Sequence, residues 1–134
     1  MSMKSRSDKL KRLVTVQRHL EQMAEMDLAL TTQQRQEVTE TMEAVAGAIS
    51  SLDPVHRNFS GIYAAQIGKL RHKDTMLAGV QQMHEMRIVR ERTKGDRLEE
   101  RMQEARIQEE REAQDNAIHD LIDQHVARRD AGDR

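Results

Sequence analysis

The stretch Ser50-Ser51-Leu52-Asp53-Pro54-Val55 decides the fold predicted for this chain, because it holds the only proline among 134 residues. Asp53 is a favourable N-cap and Pro54 a favourable first helical residue. Pro54 also disfavours helical dihedral angles at the residue before it. We therefore expect one helix to end near Leu52 and a second to begin at Pro54. A connection this short usually makes two helices antiparallel neighbours.

Apolar residues recur at helical spacing before this break. From Val38 onwards the steps alternate between four and three, which is the spacing of a coiled-coil seam. Two successive steps of four between Leu20 and Leu28 predict a stutter, and the polar residues Thr31 and Arg35 interrupt the seam. The apolar positions are Leu10, Leu13, Val16, Leu20, Ala24, Leu28, Val38, Met42, Val45, Ile49 and Leu52.

A second apolar stripe follows the break. Gly61 and Gly68 lie within it and are interpreted as sites of close helix packing, and Gly95 marks a place where helix 2 can break. A turn near Asp53-Pro54 makes the numbers of facing residues add to about 107, which leaves residues 96–129 without a partner. The stripe comprises Phe59, Ile62, Tyr63, Ile67, Leu70, Leu77, Val80, His84 and Ile88.

The predicted fold is all-α, a long antiparallel two-helix coiled coil. Helix 1 is expected over about 9–52 and helix 2 over about 54–129, in a single helical-hairpin domain covering 9–129, with disordered ends at 1–8 and 130–134. One Tyr, one Phe and no Trp suit a narrow helix–helix seam better than a thick core, which normally depends on aromatic area.

Composition excludes several classes of function. Lys and Arg number 22 against 23 Asp and Glu, so the basic footprint of a nucleic-acid-binding protein is absent. The chain has no cysteine, and no signal peptide or membrane-spanning run is recognisable. The phosphate-binding, nucleophile and zinc motifs of enzymes are also absent. The sequence therefore predicts a cytoplasmic, non-catalytic protein without a cofactor.

Two sets of polar residues have alternative interpretations. Asp115, His119 and Asp123 share a helix face that could bind a divalent ion, but a solvated face is favoured, so no metal is predicted. Two basic clusters are expected at the same end of the hairpin, either as ordinary charged surface or as a docking site for an acidic protein. They comprise Lys9, Lys11, Arg12 and Arg18 on helix 1, and Arg87, Arg90, Arg92, Lys94 and Arg97 on helix 2.

Methionine is frequent, with nine residues, and suits adaptable packing. Core filling is the default interpretation. Met76, Met83 and Met86, which lie beside Leu77 and Val80, are alternatively interpreted as an exposed contact patch.

The chain resembles the FliJ/YscO-like family of type III export proteins. The resemblance is carried by Lys4-Ser5-Arg6, Leu10-Lys11-Arg12-Leu13 and Val16-Gln17 at the start, and by the Glu- and Arg-rich second half from Arg97-Leu98-Glu99-Glu100 onwards. Asp120-Leu121-Ile122-Asp123 matches the family's C-terminal element only loosely. The length, the lack of cysteine and the hairpin layout are similar.

The resemblance implies a monomeric component of a flagellar export apparatus, which is cytoplasmic and peripheral to the inner membrane through its partners only. It implies that Lys9, Lys11, Arg12, Arg18, Arg87, Arg90, Lys94 and Arg97 contact an export ATPase hexamer. It also implies that Met42, Val45, Leu77, Val80 and His84 contact a membrane protein, the export gate. The alternative is a generic coiled-coil adaptor or homo-oligomeric scaffold that associates through residues 96–129.

Overall fold

A computed structural model of the chain describes residues 5–51 and 53–132. Every regular element within these ranges is an α-helix: α1 (Arg6–Ile49), α2 (Pro54–Asn58) and α3 (Ser60–Gly132). The two long helices, α1 and α3, pack against each other in antiparallel directions. The predicted all-α helical hairpin is therefore confirmed.

The chain forms two compact units. The terminal unit comprises the described residues up to Gln17 and those from Lys94 onwards, and the turn unit comprises Arg18–Thr93. Each unit contains a segment of α1 and a segment of α3, so each has a helix–helix seam of its own.

The reversal in the turn unit begins as the local sequence predicts. Asp53 has the extended backbone of an N-cap, with φ −65° and ψ 126°. Its Oδ1 accepts a hydrogen bond of 3.0 Å from the backbone N–H of Val55, and Pro54 is the first residue of α2. Helix α1 ends at Ile49, while the predicted end at Leu52 lies outside the described residues.

The sequence predicts a continuous second helix from Pro54, but the structure interrupts this helix at Phe59. Phe59 ends α2 with φ −106° and ψ 8°, and its backbone N–H donates to the carbonyl of His56, three residues back. Helix α3 then starts at Ser60. The five-residue helix α2 lengthens the reversal, so the centre of the reversal lies at a higher residue number than predicted.

The seam of α1 differs from the apolar pattern in its first half. Leu13 and Val16 are 52% and 59% exposed, whereas the polar residues Gln17 and Glu21 are buried. The predicted stutter between Leu20 and Leu28 is therefore wrong, because the steps of three and four continue without interruption. Buried or half-buried seam positions on α1 are 7, 10, 14, 17, 21, 24, 28, 31, 35, 38, 42, 45 and 49.

The seam of α3 follows the same spacing. Gly95 is a buried seam residue inside continuous helix, so the break expected there is wrong. Ile88 and Met102 are the most buried apolar side chains of α3, with 6% and 8% exposure. The seam positions on α3 are 63, 67, 70, 74, 77, 81, 84, 88, 91, 95, 98, 102, 105 and 109.

The longer reversal changes which residues face each other. In the terminal unit Ser7 bonds to Glu109, so the residue numbers of this pair add to 116 instead of about 107. Arg35 and Gln81 in the turn unit give the same sum. Residues from Lys94 to Glu109 therefore pair within the hairpin, and only those beyond this point lack a partner helix.

The helix ends also differ from the expected disordered ones. Helix α1 already begins at Arg6, because the side-chain oxygen of Ser5 accepts a hydrogen bond from the backbone N–H of Asp8 and acts as the N-cap. Helix α3 continues to Gly132. Residues 1–4 and 133–134, which complete the two predicted disordered segments, lie outside the described ranges.

Neither long helix contains, within the described ranges, a stretch apolar enough to cross a bilayer.

Candidate interaction surfaces

A polar group spans the seam of the turn unit. The guanidinium of Arg35 donates to the carboxylate of Asp74, with an Nε–Oδ1 distance of 2.9 Å, and to Oε1 of Gln81 at 2.8 Å. The hydrogen bond from Arg35 holds the pKa of Asp74 below its ordinary value, and the same bond raises the pKa of Arg35. The position predicted to interrupt the seam is thus occupied by a paired cation.

Thr31, the other polar residue predicted to interrupt the seam, also has a hydrogen-bond partner. It is 4% exposed, and its hydroxyl donates to the backbone carbonyl of Asp27 at 3.0 Å. No buried side-chain nitrogen or oxygen within the described ranges lacks a hydrogen-bond partner. The polar seam positions are therefore compatible with a stable helix pair.

A similar arrangement joins the two helices in the terminal unit. The backbone N–H of Ser7 donates to Glu109 at 3.0 Å, and the Ser7 hydroxyl donates to the second oxygen of the same carboxylate. These bonds from Ser7 hold the pKa of Glu109 below its ordinary value. The contact places a carboxylate at the N-terminus of α1, where the helix dipole favours negative charge.

Two of the basic residues of α3 form ion pairs with carboxylates of α1. Arg87 bonds to Asp27 at 3.1 Å, and Arg92 bonds to Glu25 at 2.9 Å. Arg90, Lys94 and Arg97 are exposed. The α1 residues opposite this cluster thus include two carboxylates, which the sequence-derived register did not anticipate.

The basic residues of α1 differ in exposure. Lys9, Lys11 and Arg12 are exposed in the terminal unit. Arg18 is half-buried and bonds to Glu21 at 2.9 Å. In the register set by Ser7 and Glu109, Lys9 to Arg12 face residues near 104–107 rather than residues near Lys94, so the predicted sum of about 107 is wrong for them.

The residues assigned to a mid-hairpin contact differ in accessibility. Val45 is buried in the seam, with 9% exposure, while Met42, Leu77 and His84 are half-buried. Val80 is 40% exposed. Val80 is therefore the most exposed residue of this set.

The methionines of α3 form an exposed apolar surface. Met76, Met83 and Met86 are 62%, 69% and 59% exposed. These three side chains therefore do not fill the core, and the exposure required of a contact patch is confirmed. Spacings of four and three place Met76, Val80 and Met83 on one helix face. We call these three residues the methionine face.

The C-terminal part of α3 has no partner helix among the described residues. Every residue from Arg111 to Gly132 is exposed, and we call this segment the tail. Ile118, Leu121, Ile122 and Val126 are each exposed by half or more. Asp115, His119 and Asp123 are exposed here as well, and no group of three potential metal ligands occurs within the described ranges.

Sequence reasoning missed the cross-helix contacts of Arg35 and Ser7. Both join residues that are far apart in the chain, and their partners could be found only with the correct register. The chain was also compared with protein-family models, with curated proteins and with solved structures, and no significant match was found.

Proposed function

We propose that this protein is a non-catalytic coiled-coil component of a bacterial type III flagellar export apparatus, which links an export ATPase ring to a membrane export gate. The observation that carries the proposal is the antiparallel helix pair combined with exposed cations at its N-terminal turns. The resemblance of Lys4-Ser5-Arg6 and Leu10-Lys11-Arg12-Leu13 to the export family supports the same function.

The exposed cations suit an acidic ATPase surface. Lys9, Lys11 and Arg12 lie within a single turn of α1 and are exposed, and Arg90 and Arg97 are exposed on α3. Exposed charges of this kind mainly raise the association rate and select the partner. Arg87 and Arg92 are engaged with Asp27 and Glu25, so they take a smaller part in docking.

The export-gate contact is best assigned to the methionine face. Val80 belongs to the set assigned from the sequence, and Met76 and Met83 extend it with side chains that adapt to different partners. Val45 is only 9% exposed, so it contributes to packing between the two helices rather than to direct contact with the gate.

A pull-down of the export ATPase by the full-length protein tests the first contact. Arg12→Glu and Arg90→Glu are expected to weaken capture, and Lys73→Glu serves as the matched control on an exposed cation outside both clusters. Capture that is unchanged in both cluster variants would remove the proposed ATPase contact. For the gate, Met83→Ser is compared with Val89→Ser, which replaces an apolar residue of similar exposure, 63% against 69%, on the same helix.

A homo-oligomeric scaffold is the second candidate, and the exposed apolar residues of the tail favour it. A lone charged helix is marginally stable in water, and pairing of two tails would cover Ile118, Leu121 and Ile122. Light scattering on the full chain distinguishes the candidates. The export component is expected to have the mass of a monomer, whereas the scaffold gives a larger mass that Ile118→Ser and Ile122→Ser reduce.

A further inference from the structure

The end of the turn unit at the reversal is the one place where the chain uses aromatic side chains. The only Phe and the only Tyr of the sequence lie here. The ring of Tyr63 lies 6.4 Å from that of Phe59 and 6.0 Å from the imidazole of His56, between ring centroids. His56 Nδ1 and the Tyr63 hydroxyl are 3.2 Å apart. This hydrogen bond and these ring contacts connect α2 to the first turn of α3.

Apolar side chains project into solvent around this cluster. Val55 is 60% exposed, Phe59 46% and Ile62 63%, and we call these three residues the tip patch. A shallow groove beside Ile62 is lined by residues from Asn58 to Lys69. The apolar surface therefore continues from the reversal towards a cation.

The surrounding charge is sparse and positive. Between residues 44 and 72 the sequence has a single carboxylate, Asp53, against Arg57, Lys69 and Arg71, in a chain of which 34% is charged. Asp53 is engaged as the N-cap of α2, while the three cations are exposed. An exposed apolar patch is thus bordered by cations and by almost no anions.

We propose that the tip patch docks on an anionic membrane surface. Val55, Phe59 and Ile62 enter the headgroup region, and Arg57, Lys69 and Arg71 lie against lipid phosphates. Apolar side chains combined with neighbouring cations are what bind proteins to the interface of an anionic bilayer, where aromatic rings are also favoured. This inference does not depend on the proposed export function, which connects the chain to the membrane through protein partners only.

The charge pattern favours lipid over an acidic protein surface. A protein interface of this size is expected to include polar groups that pair with specific donors and acceptors. The tip patch itself is entirely apolar, and two polar residues next to it, Asp53 and His56, are already bonded within the protein. A lipid surface requires only hydrophobic insertion and diffuse positive charge, both of which are present.

Co-sedimentation of the full-length protein with vesicles tests the proposal. Vesicles of phosphatidylglycerol and phosphatidylcholine are compared with vesicles of phosphatidylcholine alone, at low ionic strength. We expect half of the protein to bind at on the order of 1 mM accessible anionic lipid, and binding to zwitterionic vesicles to be at least tenfold weaker, because each cation contributes about 1 kcal/mol near an anionic surface.

Matched substitutions identify the surface that binds. Ile62→Ser is expected to weaken binding about tenfold, whereas Val89→Ser, which changes an apolar residue of the same exposed fraction on the same helix, leaves it unchanged. Arg57→Gln is expected to weaken binding about fivefold, and Arg90→Gln is its control. Circular dichroism of each variant verifies that the helices are retained.

Two outcomes would overturn the proposal. One is equal loss of binding in Ile62→Ser and Val89→Ser, which would place the lipid contact elsewhere or make it nonspecific. The other is protein that stays in the supernatant with every vesicle, which is the result expected if the tip patch binds an acidic protein instead.

Discussion

Replacing Glu21 by leucine should stabilise the protein, although it removes an ion pair. Glu21 is 6% exposed at a seam position of α1, and its carboxylate bonds to Arg18 at 2.9 Å. Arg18 keeps a third of its side chain in solvent, so it can remain hydrated after the substitution. The change exchanges a partly desolvated carboxylate for an apolar side chain that faces the other helix.

The magnitude follows from burial. Burying a leucine side chain contributes about 1.5–3 kcal/mol, and loss of an ion pair whose arginine stays in contact with solvent costs about 0.2–1 kcal/mol. Replacement of buried ion pairs by apolar residues is often neutral or stabilising. We therefore expect the free energy of unfolding to rise by about 1–2 kcal/mol and Tm to rise by about 3–6 °C.

Thermal and urea unfolding, monitored by far-UV circular dichroism, measure this change. Gln22→Leu is the control, since Gln22 is the neighbouring residue and is exposed. Its effect should stay within about 0.5 kcal/mol. Tm is measured at several protein concentrations, so that any stabilisation from self-association is detected. A destabilised Glu21→Leu variant, or one indistinguishable from Gln22→Leu, would refute the placement of Glu21 in the seam.

Three further substitutions test other parts of the structure. Ile88→Ala should lower the free energy of unfolding by about 2 kcal/mol in urea titrations, because Ile88 is 6% exposed, whereas Val89→Ala should change it by less than about 0.5 kcal/mol. Gly68→Ala should raise Tm, with a gain of about 0.5–1 kcal/mol, since nothing lies within 4 Å of a Cβ built there; lower stability would instead restore a close-packing role. Glu109→Gln should lower Tm most above pH 4.5, because a carboxyl with a lowered pKa stabilises the fold in its ionised form. The difference in Tm from the wild type should shrink as the pH falls through that lowered pKa. A difference in Tm that does not depend on pH would contradict the Ser7 contact.

The helical hairpin and the start of its turn were predictable because they depend on local chemistry. Asp53 and Pro54 determine the N-cap and the first helical residue by their own hydrogen bond and ring geometry. The long helices follow from apolar spacing of three and four residues. These signals do not require knowledge of which residues meet across the seam.

The register was not predictable from the same signals. It depends on how many residues the reversal uses, and Phe59 adds a short helix that the apolar pattern does not reveal. Moving the centre of the turn by four or five residues changes every facing pair. The predicted start of the unpaired region at residue 96 was wrong for this reason, because α3 keeps a partner helix as far as Glu109.

The residues of the seam were predicted wrongly in the first half of α1, where the seam contains buried polar residues. Leu13 and Val16 looked like seam residues because they are apolar, yet Gln17 and Glu21 occupy the seam. Continuity of the seven-residue spacing with the rest of α1 outweighs the gain from burying two more apolar side chains. The glycines were misread similarly, since Gly61 and Gly68 have no neighbour that requires their small size.

The register of the hairpin is the set of residues of α1 that face given residues of α3, and cysteine cross-linking measures it most directly. The chain has no native cysteine, so a pair introduced by Ser7→Cys and Glu109→Cys can be joined by a short thiol-to-thiol cross-linker without background. We predict rapid cross-linking of this pair. No cross-linking is expected between Ser7→Cys and Glu100→Cys, because residue 100 lies about 13 Å from residue 109 along α3. Preferential cross-linking of residue 7 to residue 100 would contradict the register and the surfaces derived from it.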